Sequence, residues 1–406
     1  ASLAADHDSF AMGQALAAYL HLMSSDVRDV DAARAHAAAL HAAPRNDRET
    51  AHATAIDAWL EGEWHRAARH LDDLLVEWPT DVLALLMGHF LDFFVGDARN
   101  LRDRVCRSIS AFDPQHPHYG FVRGMQAFGL EEAGHLGAAE QAALEAVDRN
   151  PDDVWGVHAV AHVYEMQGRI DDGVAFMTER VGDWGDGNLF TVHNWWHLAL
   201  YHLEQGHHDR VLDIYDSSVH HAASDGVPIE MVDAASMLWR LRLDGLDVGS
   251  RFDVIADAWA DALDDVPSWY VFNDVHAVMA FLGAGRRDDA VAVIDRLSAY
   301  VDQTSALATA SNVGMTVEVG LPAARALLAF DDGRHADAIA DLWPARRVFH
   351  HFGGSHAQRD VLERTLVEAA VRGRRSNLAA RLISERLAVR PTGRFALDRA
   401  LRLAAG

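Results

Sequence analysis

Two pairs of histidines stand four residues apart on neighbouring segments: His158 with His162, and His193 with His197. On a helix, residues four apart share one face, so each pair can offer two imidazoles to one ligand. Asp274 or Glu165 within reach would add a carboxylate. Imidazole with carboxylate can hold a borderline transition-metal ion. Imidazole beside carboxylate can also titrate near neutral pH and pass protons. Neither pair is a His-Glu-x-x-His motif, because no glutamate follows the first histidine of either. With 25 histidines in the chain, some pairs at this spacing arise by chance. For His158 and His193 the plain alternative is a hydrogen bond between helices. Asp274 and His276 join the four histidines as acid–base candidates. No metal and no other cofactor is assigned; a metal-dependent hydrolase built on the two pairs stands as the second alternative.

A second set of residues suits recognition. Arg240 and Arg359 can grip a carboxylate or phosphate with two hydrogen bonds each. Asp233, Asn273, Gln358 and Asp360 are polar neighbours on the same class of segment. Trp196, with Trp155, Trp195 and Trp269, can supply apolar walls. Ser355 is a better helix cap than nucleophile: Ser355-His356-Ala357-Gln358 has Ser at N-cap and Gln at N3. Phe90, Phe93 and Phe94 have helical spacing and are read as core. Cys106 is read as a small buried residue. No Gly-x-Ser-x-Gly elbow and no dinucleotide loop occurs.

Composition narrows the chemistry. Every one of the 36 formal bases is arginine, against 60 acids, for a net charge of −24. Without lysine there is no Schiff-base amine and no phosphate-loop lysine. The acidic balance opposes binding nucleic acid or an anionic membrane through overall charge. A single cysteine allows no intrachain disulfide and no cysteine-based zinc site. No charged leader, initiator Met or apolar run of about 18 residues is visible. The expectation is a cytoplasmic protein.

The elements that must position these residues show themselves through glycine. Turns centred on Gly62, Gly96, Gly134, Gly168, Gly206, Gly245, Gly285, Gly333 and Gly373 recur at intervals of 34, 38, 34, 38, 39, 40, 48 and 40. A period of 34 is that of the tetratricopeptide helix–turn–helix unit, and longer intervals fit that unit with loop insertions. Small or aliphatic residues often follow five positions after the glycine, as at Ala67, Leu101, Ala139, Val211, Ala290, Ala338 and Leu378. A second helix must approach the first closely there. Pro79, Pro114 and Pro151 are expected at the starts of following helices. Ile170, Val174, Met177 and Val181 form one apolar stripe. Strand signals are almost absent. The fold class expected is all-α: a tetratricopeptide-like superhelix of about nine helix pairs, one domain over 1–406. The first helix of each pair should line the concave side, and the unusual polar residues crowd onto those helices. Loops are expected at 182–188 and 304–314, the latter long enough for a lid.

Four strings carry a family resemblance: His158–Arg169, His193–Glu204, Phe272–Ala277 and Gly353–Asp360. They resemble the tetratricopeptide repeat protein 38 family in the same order, over nearly the whole chain from Phe10-Ala11-Met12-Gly13 onward. The resemblance implies the superhelical fold and a cytosolic setting, with residues at the N-terminal side that this chain lacks. It brings no catalytic residues.

The function expected from the residues is binding of a small polar or anionic ligand in a His/Asp/Arg/Trp-lined concave pocket, with acid–base catalysis as an extension. The alternative is a protein–protein interaction scaffold holding a peptide in the groove. Partners are thus a small molecule or a peptide, not nucleic acid or membrane, with homodimerisation through an end unit also open.

Overall fold

The computed structural model describes residues 10–405 apart from 189, 222, 264–267 and 305–309. Each of the nine glycine turns joins two antiparallel helices. Eight of the nine glycines take positive φ, from Gly62 at +77° to Gly333 at +73°. At the ninth turn the left-handed residue is Arg374, at φ +55°, and Gly373 stays ordinary. The close-packed position shifts with it: Ala379, five residues after Arg374, is fully buried, while Leu378 is half-buried. A further hairpin precedes the nine. Helices Ala11–Met23 and Val30–Ala42 meet through a turn whose left-handed residue is Ser25, so no glycine marks it. The helix Arg394–Ala405 follows the last pair. The chain is a tetratricopeptide-like all-α superhelix, one hairpin longer at its start than the glycine pattern indicates.

The prolines mark a different position from the one expected. Pro79 and Pro151 lie in turns three residues upstream of the helices Val82–Phe94 and Val154–Gln167. Asp81 and Asp153 provide the N-caps; Asp81 accepts from the Ala84 amide, and Asp153 from those of Trp155 and Gly156. Proline at the first helical position occurs instead at Pro228. Of the loop expected at 182–188, bends occupy 185–188, while 182–184 belong to the short helix Val181–Trp184. The proposed lid falls on 304–314, where 305–309 lie outside the described residues and Ser311–Met315 is helical.

The two helices of a pair differ in burial, and the difference explains the polar residues. Outer helices are amphipathic: Trp64–Glu77 buries Trp64, Ala67, Ala68, Leu71, Leu74 and Leu75 on one stripe. Inner helices are buried nearly all round. Val271–Gly283 buries every residue from Val271 to Leu282. The helix over Ser311–Asp331, which the sequence reading passed over, is apolar and long enough to cross a membrane, yet 56% of its most apolar 18-residue stretch is buried inside the protein.

Inner helices are covered because the superhelix winds past one full turn and stacks on itself. Residues about 190–250 apart in sequence meet along the axis. Asn273 donates to the Ser25 carbonyl at 3.0 Å. The Ser311 amide donates to the Gly62 carbonyl at 2.9 Å, and His65 Nδ1 meets Ser311 Oγ at 2.7 Å. Farther along, Arg359 pairs with Glu132 at 3.1 Å, and the Arg394 amide donates to Glu204 at 3.0 Å. Contacts at roughly half that separation cross the axis: Trp239 Nε1 donates to Thr365 at 3.0 Å and Arg240 to the Ala357 carbonyl at 2.6 Å.

Glycine turns of the first winding serve as seats for the second. A Cβ at Gly96 would collide with the His350 carbonyl, and one at Gly206 with the Arg394 guanidinium. At Gly134 and Gly285, which share the positive φ, a Cβ would meet nothing within 4 Å. Gly285→Ala is therefore expected to cost only the left-handed penalty, about 1–2 kcal/mol. Gly96→Ala adds a backbone clash of the overpacking kind, about 1–3 kcal/mol more. Urea unfolding of both variants checks this; equal losses would mean that the two windings do not press together at Gly96.

Candidate functional site

The inner helices Val154–Gln167 and Thr191–Gln205 lie side by side, so the two histidine pairs face each other. One nitrogen from each of His158, His162, His193 and His197 lies within 4.8 Å of the others. His193 Nε2 and His197 Nε2 are 3.2 Å apart. His162, His197 and His158 are buried, and His193 keeps 17% of its side chain exposed.

Three of the four rings have a carboxylate behind them. Asp233 Oδ2 is 2.6 Å from His193 Nδ1. Glu165 Oε2 is 3.3 Å from His197 Nδ1. Glu131 Oε2 lies 3.4 Å from His162 Nδ1, an ion-pair contact that does not meet hydrogen-bond geometry. Each carboxylate comes from the inner helix next to the ring's own. Neither ring nitrogen of His158 has a hydrogen-bond partner among the described residues. Its ring instead lies against Phe128, Phe190 and the other imidazoles. Trp196 stacks on His193 at 5.2 Å and 15°, which fixes that ring's plane.

Charge follows this arrangement. Burial, then the neighbouring His162 and His193, hold His158 well below the ordinary imidazole value. His197 is lowered for the same reasons. For His162 burial pulls down, but Glu131, Glu132 and Glu165 outweigh it and the net shift is upward. Burial raises Glu165 despite Arg390 nearby.

A cleft of about 60 Å³ opens onto His158 and His193. Phe90, Phe93, Phe128, Trp155, Phe190, Val192 and Ile229 supply its apolar walls, and His89, Glu230, Asp233, Ser355 and Gln358 its polar points. Gln358 Nε2 donates to Asp233 Oδ1 at 3.2 Å, which ties the 356–372 helix to the cleft floor. Phe90 and Phe93, read from the sequence as core, pack in the core and also form cleft walls. Ser355 is the N-cap of a capping box with Gln358, as expected.

Several nominated residues are engaged elsewhere. Asp274 accepts from Ser268 at 2.6 Å and Arg296 at 2.8 Å, and joins no imidazole of the cluster. Asn273 ties Ser25. His276 Nδ1 is 2.7 Å from the Phe272 carbonyl, a contact within its own helix. Arg240 is spent on the Ala357 and Ser236 carbonyls and lies over Trp196 at 5.3 Å. Burial lowers its pKa to about 10. Arg359 pairs with Glu132, and Asp360 with Arg364 and Arg386 at 2.6 and 2.7 Å. The cleft lining contains no arginine among the described residues. The anionic-ligand expectation thus loses its grip residues.

Sequence reasoning missed Glu131, His89 and Phe128. Glu131 carried a signal, since it precedes its glycine turn by three residues as Glu165 does. Beside the imidazoles, Glu131 and Glu132 face His356, whose pKa is pushed up to about 10, first by the Glu132 carboxylate.

No protein-family model matches the chain. Among solved structures the chain is similar to a Rap protein complexed with competence and sporulation factor, at 11% identity over 97% of this chain and 99% of that one, with a TM-score of 0.46. A human IFIT1 dimer with m7Gppp-AAAA is 13% identical over 98% and 94%, TM-score 0.44. The TPR domain of P58(IPK) is 12% identical over 82% and 99%, TM-score 0.22.

Buried neutral imidazoles set an acid limit on stability. Burial lowers His89 to about 3 and His276 to about 4. In the unfolded chain both bind a proton near pH 6.5. Between pH 6.5 and 4 the unfolded state therefore binds more protons, and stability falls as pH falls. Each group contributes a slope of about 1.4 kcal/mol per pH unit in that window. Urea midpoints at pH 7, 6 and 5 should drop less steeply for His276→Gln than for wild type. Parallel profiles would mean that His276 titrates alike in both states.

Proposed function

We propose that the protein binds a small organic ligand in the aromatic cleft, with an apolar body between Phe90, Phe93, Phe128, Trp155 and Phe190. A neutral or cationic polar end meets His193, Asp233 and Gln358. One observation carries this reading: inner helices far apart in sequence, 82–94, 119–132, 154–167, 191–205, 228–243 and 356–372, converge on one partly dry chamber. Apolar walls with a few convergent polar groups are what small-ligand sites have in common. Glu230 and Asp233, with no facing arginine, disfavour an anion.

Chemistry at that floor centres on His193. Asp233 on Nδ1 fixes the ring's orientation and supports a proton on that nitrogen, leaving Nε2 as the acceptor. Membership of the tetratricopeptide repeat protein 38 family and a reducing cytoplasmic setting belong to the same proposal, supported by the four quoted strings and the single cysteine. The second reading, an interaction scaffold, is favoured by the helical-repeat architecture itself, whose stacked inner surface commonly carries peptides.

Phenethylamine, benzyl alcohol and benzoate, each titrated against chelator-treated wild type, Phe128→Ala and Glu230→Gln in a thermal-shift assay, test the cleft. The amine and the alcohol should raise the wild-type melting temperature with dose, and benzoate should not. Phe128→Ala should abolish both effects, and Glu230→Gln should weaken the amine's alone. Benzoate as the best stabiliser, or shifts indifferent to Phe128, would overturn the assignment.

A further inference from the structure

We propose that His158, His162, His193 and His197 together bind one divalent transition-metal ion of the zinc–iron–copper class at the floor of the cleft. The proposal stands on geometry independent of the ligand reading, and it goes beyond it. Four imidazole nitrogens within 4.8 Å of one another already approach a coordination shell. An ion with metal–nitrogen bonds of about 2.0–2.1 Å in a tetrahedron holds its nitrogens about 3.3 Å apart. His193 Nε2 and His197 Nε2 stand at 3.2 Å.

The surroundings match a metal shell better than a hydrogen-bonded core. In a core, buried imidazoles are satisfied by neighbours. Here neither nitrogen of His158 has a partner among the described residues, although the residue is only 2% exposed. A buried polar group left unmade costs about 1–3 kcal/mol. Coordination would satisfy one nitrogen of His158 and take up the two Nε2 atoms of His193 and His197 that already stand together.

The second observation is the carboxylate behind each of the other three rings: Asp233 at Nδ1 of His193, Glu165 at Nδ1 of His197, Glu131 at Nδ1 of His162. Metal-bound histidines characteristically present the other ring nitrogen to a carboxylate, which fixes the tautomer and raises basicity. The same oxygens bring negative charge to a site that would otherwise hold an uncompensated dication. All-imidazole donors select zinc, copper, iron or nickel over magnesium or calcium, which take oxygen. His158 and His193 also line the cleft, so the ion would sit beside it. An ion there would polarise the ligand's polar end or hold a water of lowered pKa.

Metal content is measured on protein purified without a histidine tag, before and after loading with Zn²⁺ and desalting, by inductively coupled plasma mass spectrometry. About one ion per chain is expected, falling below a tenth in His158→Ala/His162→Ala. Asp233→Asn should retain the ion but weaken it about 10–100-fold in a chelator competition. Because the double variant can fail to fold, zinc-edge X-ray absorption on the loaded wild type gives an answer without mutation: nitrogen scatterers near 2.0 Å with imidazole outer-shell features. Absence of stoichiometric metal after loading would overturn the proposal. So would an oxygen-dominated shell, or full retention by a folded double variant, which would place the ion at Glu131, Glu132 and His356. None of these readouts uses the organic probes, so the failure of the cleft assignment and that of the metal site remain distinguishable.

Discussion

The stacking of one superhelical winding on the other is the constraint from which the site follows. A helical hairpin buries one stripe and leaves the inner helix half wet. Here the inner helices carry a second layer of protein, seated on turns where only a hydrogen fits. Gly96 against the His350 carbonyl is the tightest of these seats. Water is thereby removed from both sides of the inner helices, and polar residues there must find partners or pay about 1–3 kcal/mol each.

Most of them do find partners, and the pattern of partners separates structure from site. Arg104 with Asp92, Arg364 with Asp360 and Glu204, and Arg399 with Glu368 are closed ion-pair sets. They join helices and offer nothing to a ligand. Breaking such a pair would strand a buried charge, which is why they persist as complete sets. The imidazole group differs. Its carboxylates sit on the outer nitrogens, its inner nitrogens face each other, and one ring has no partner. That asymmetry, with four imidazoles gathered around a common point, singles it out.

Sequence and structure agree wherever a local rule fixes the outcome. Glycine at a left-handed turn, serine in a capping box and small residues at a helix crossing are decided within a few residues, so the hairpins and most boundaries were readable. The exceptions have local reasons as well. Ser25 and Arg374 take φ near +55° without being glycine, so one hairpin went unmarked and one register shifted by a residue. For the site, the i, i+4 histidines were legible because helical spacing puts them on one face. Their carboxylates were less so, since Glu131 and Asp233 lie 31 and 40 residues from the rings they touch, about one repeat away.

By itself the sequence determined the helical repeat, the inner placement of the polar residues and the pairing of histidines, because each depends on period, turn chemistry or spacing. Only the tertiary structure decided which polar groups are free to act. Arg240, Arg359, Asp274 and Asp360 looked equally available in one dimension, yet in the fold Asp274 is held by Ser268 and Arg296 and Asp360 by Arg364 and Arg386, while Arg240 and Arg359 take partners from distant hairpins. That choice depends on how far the superhelix turns per hairpin, a small angle summed over many units, and no local residue pattern encodes such a sum.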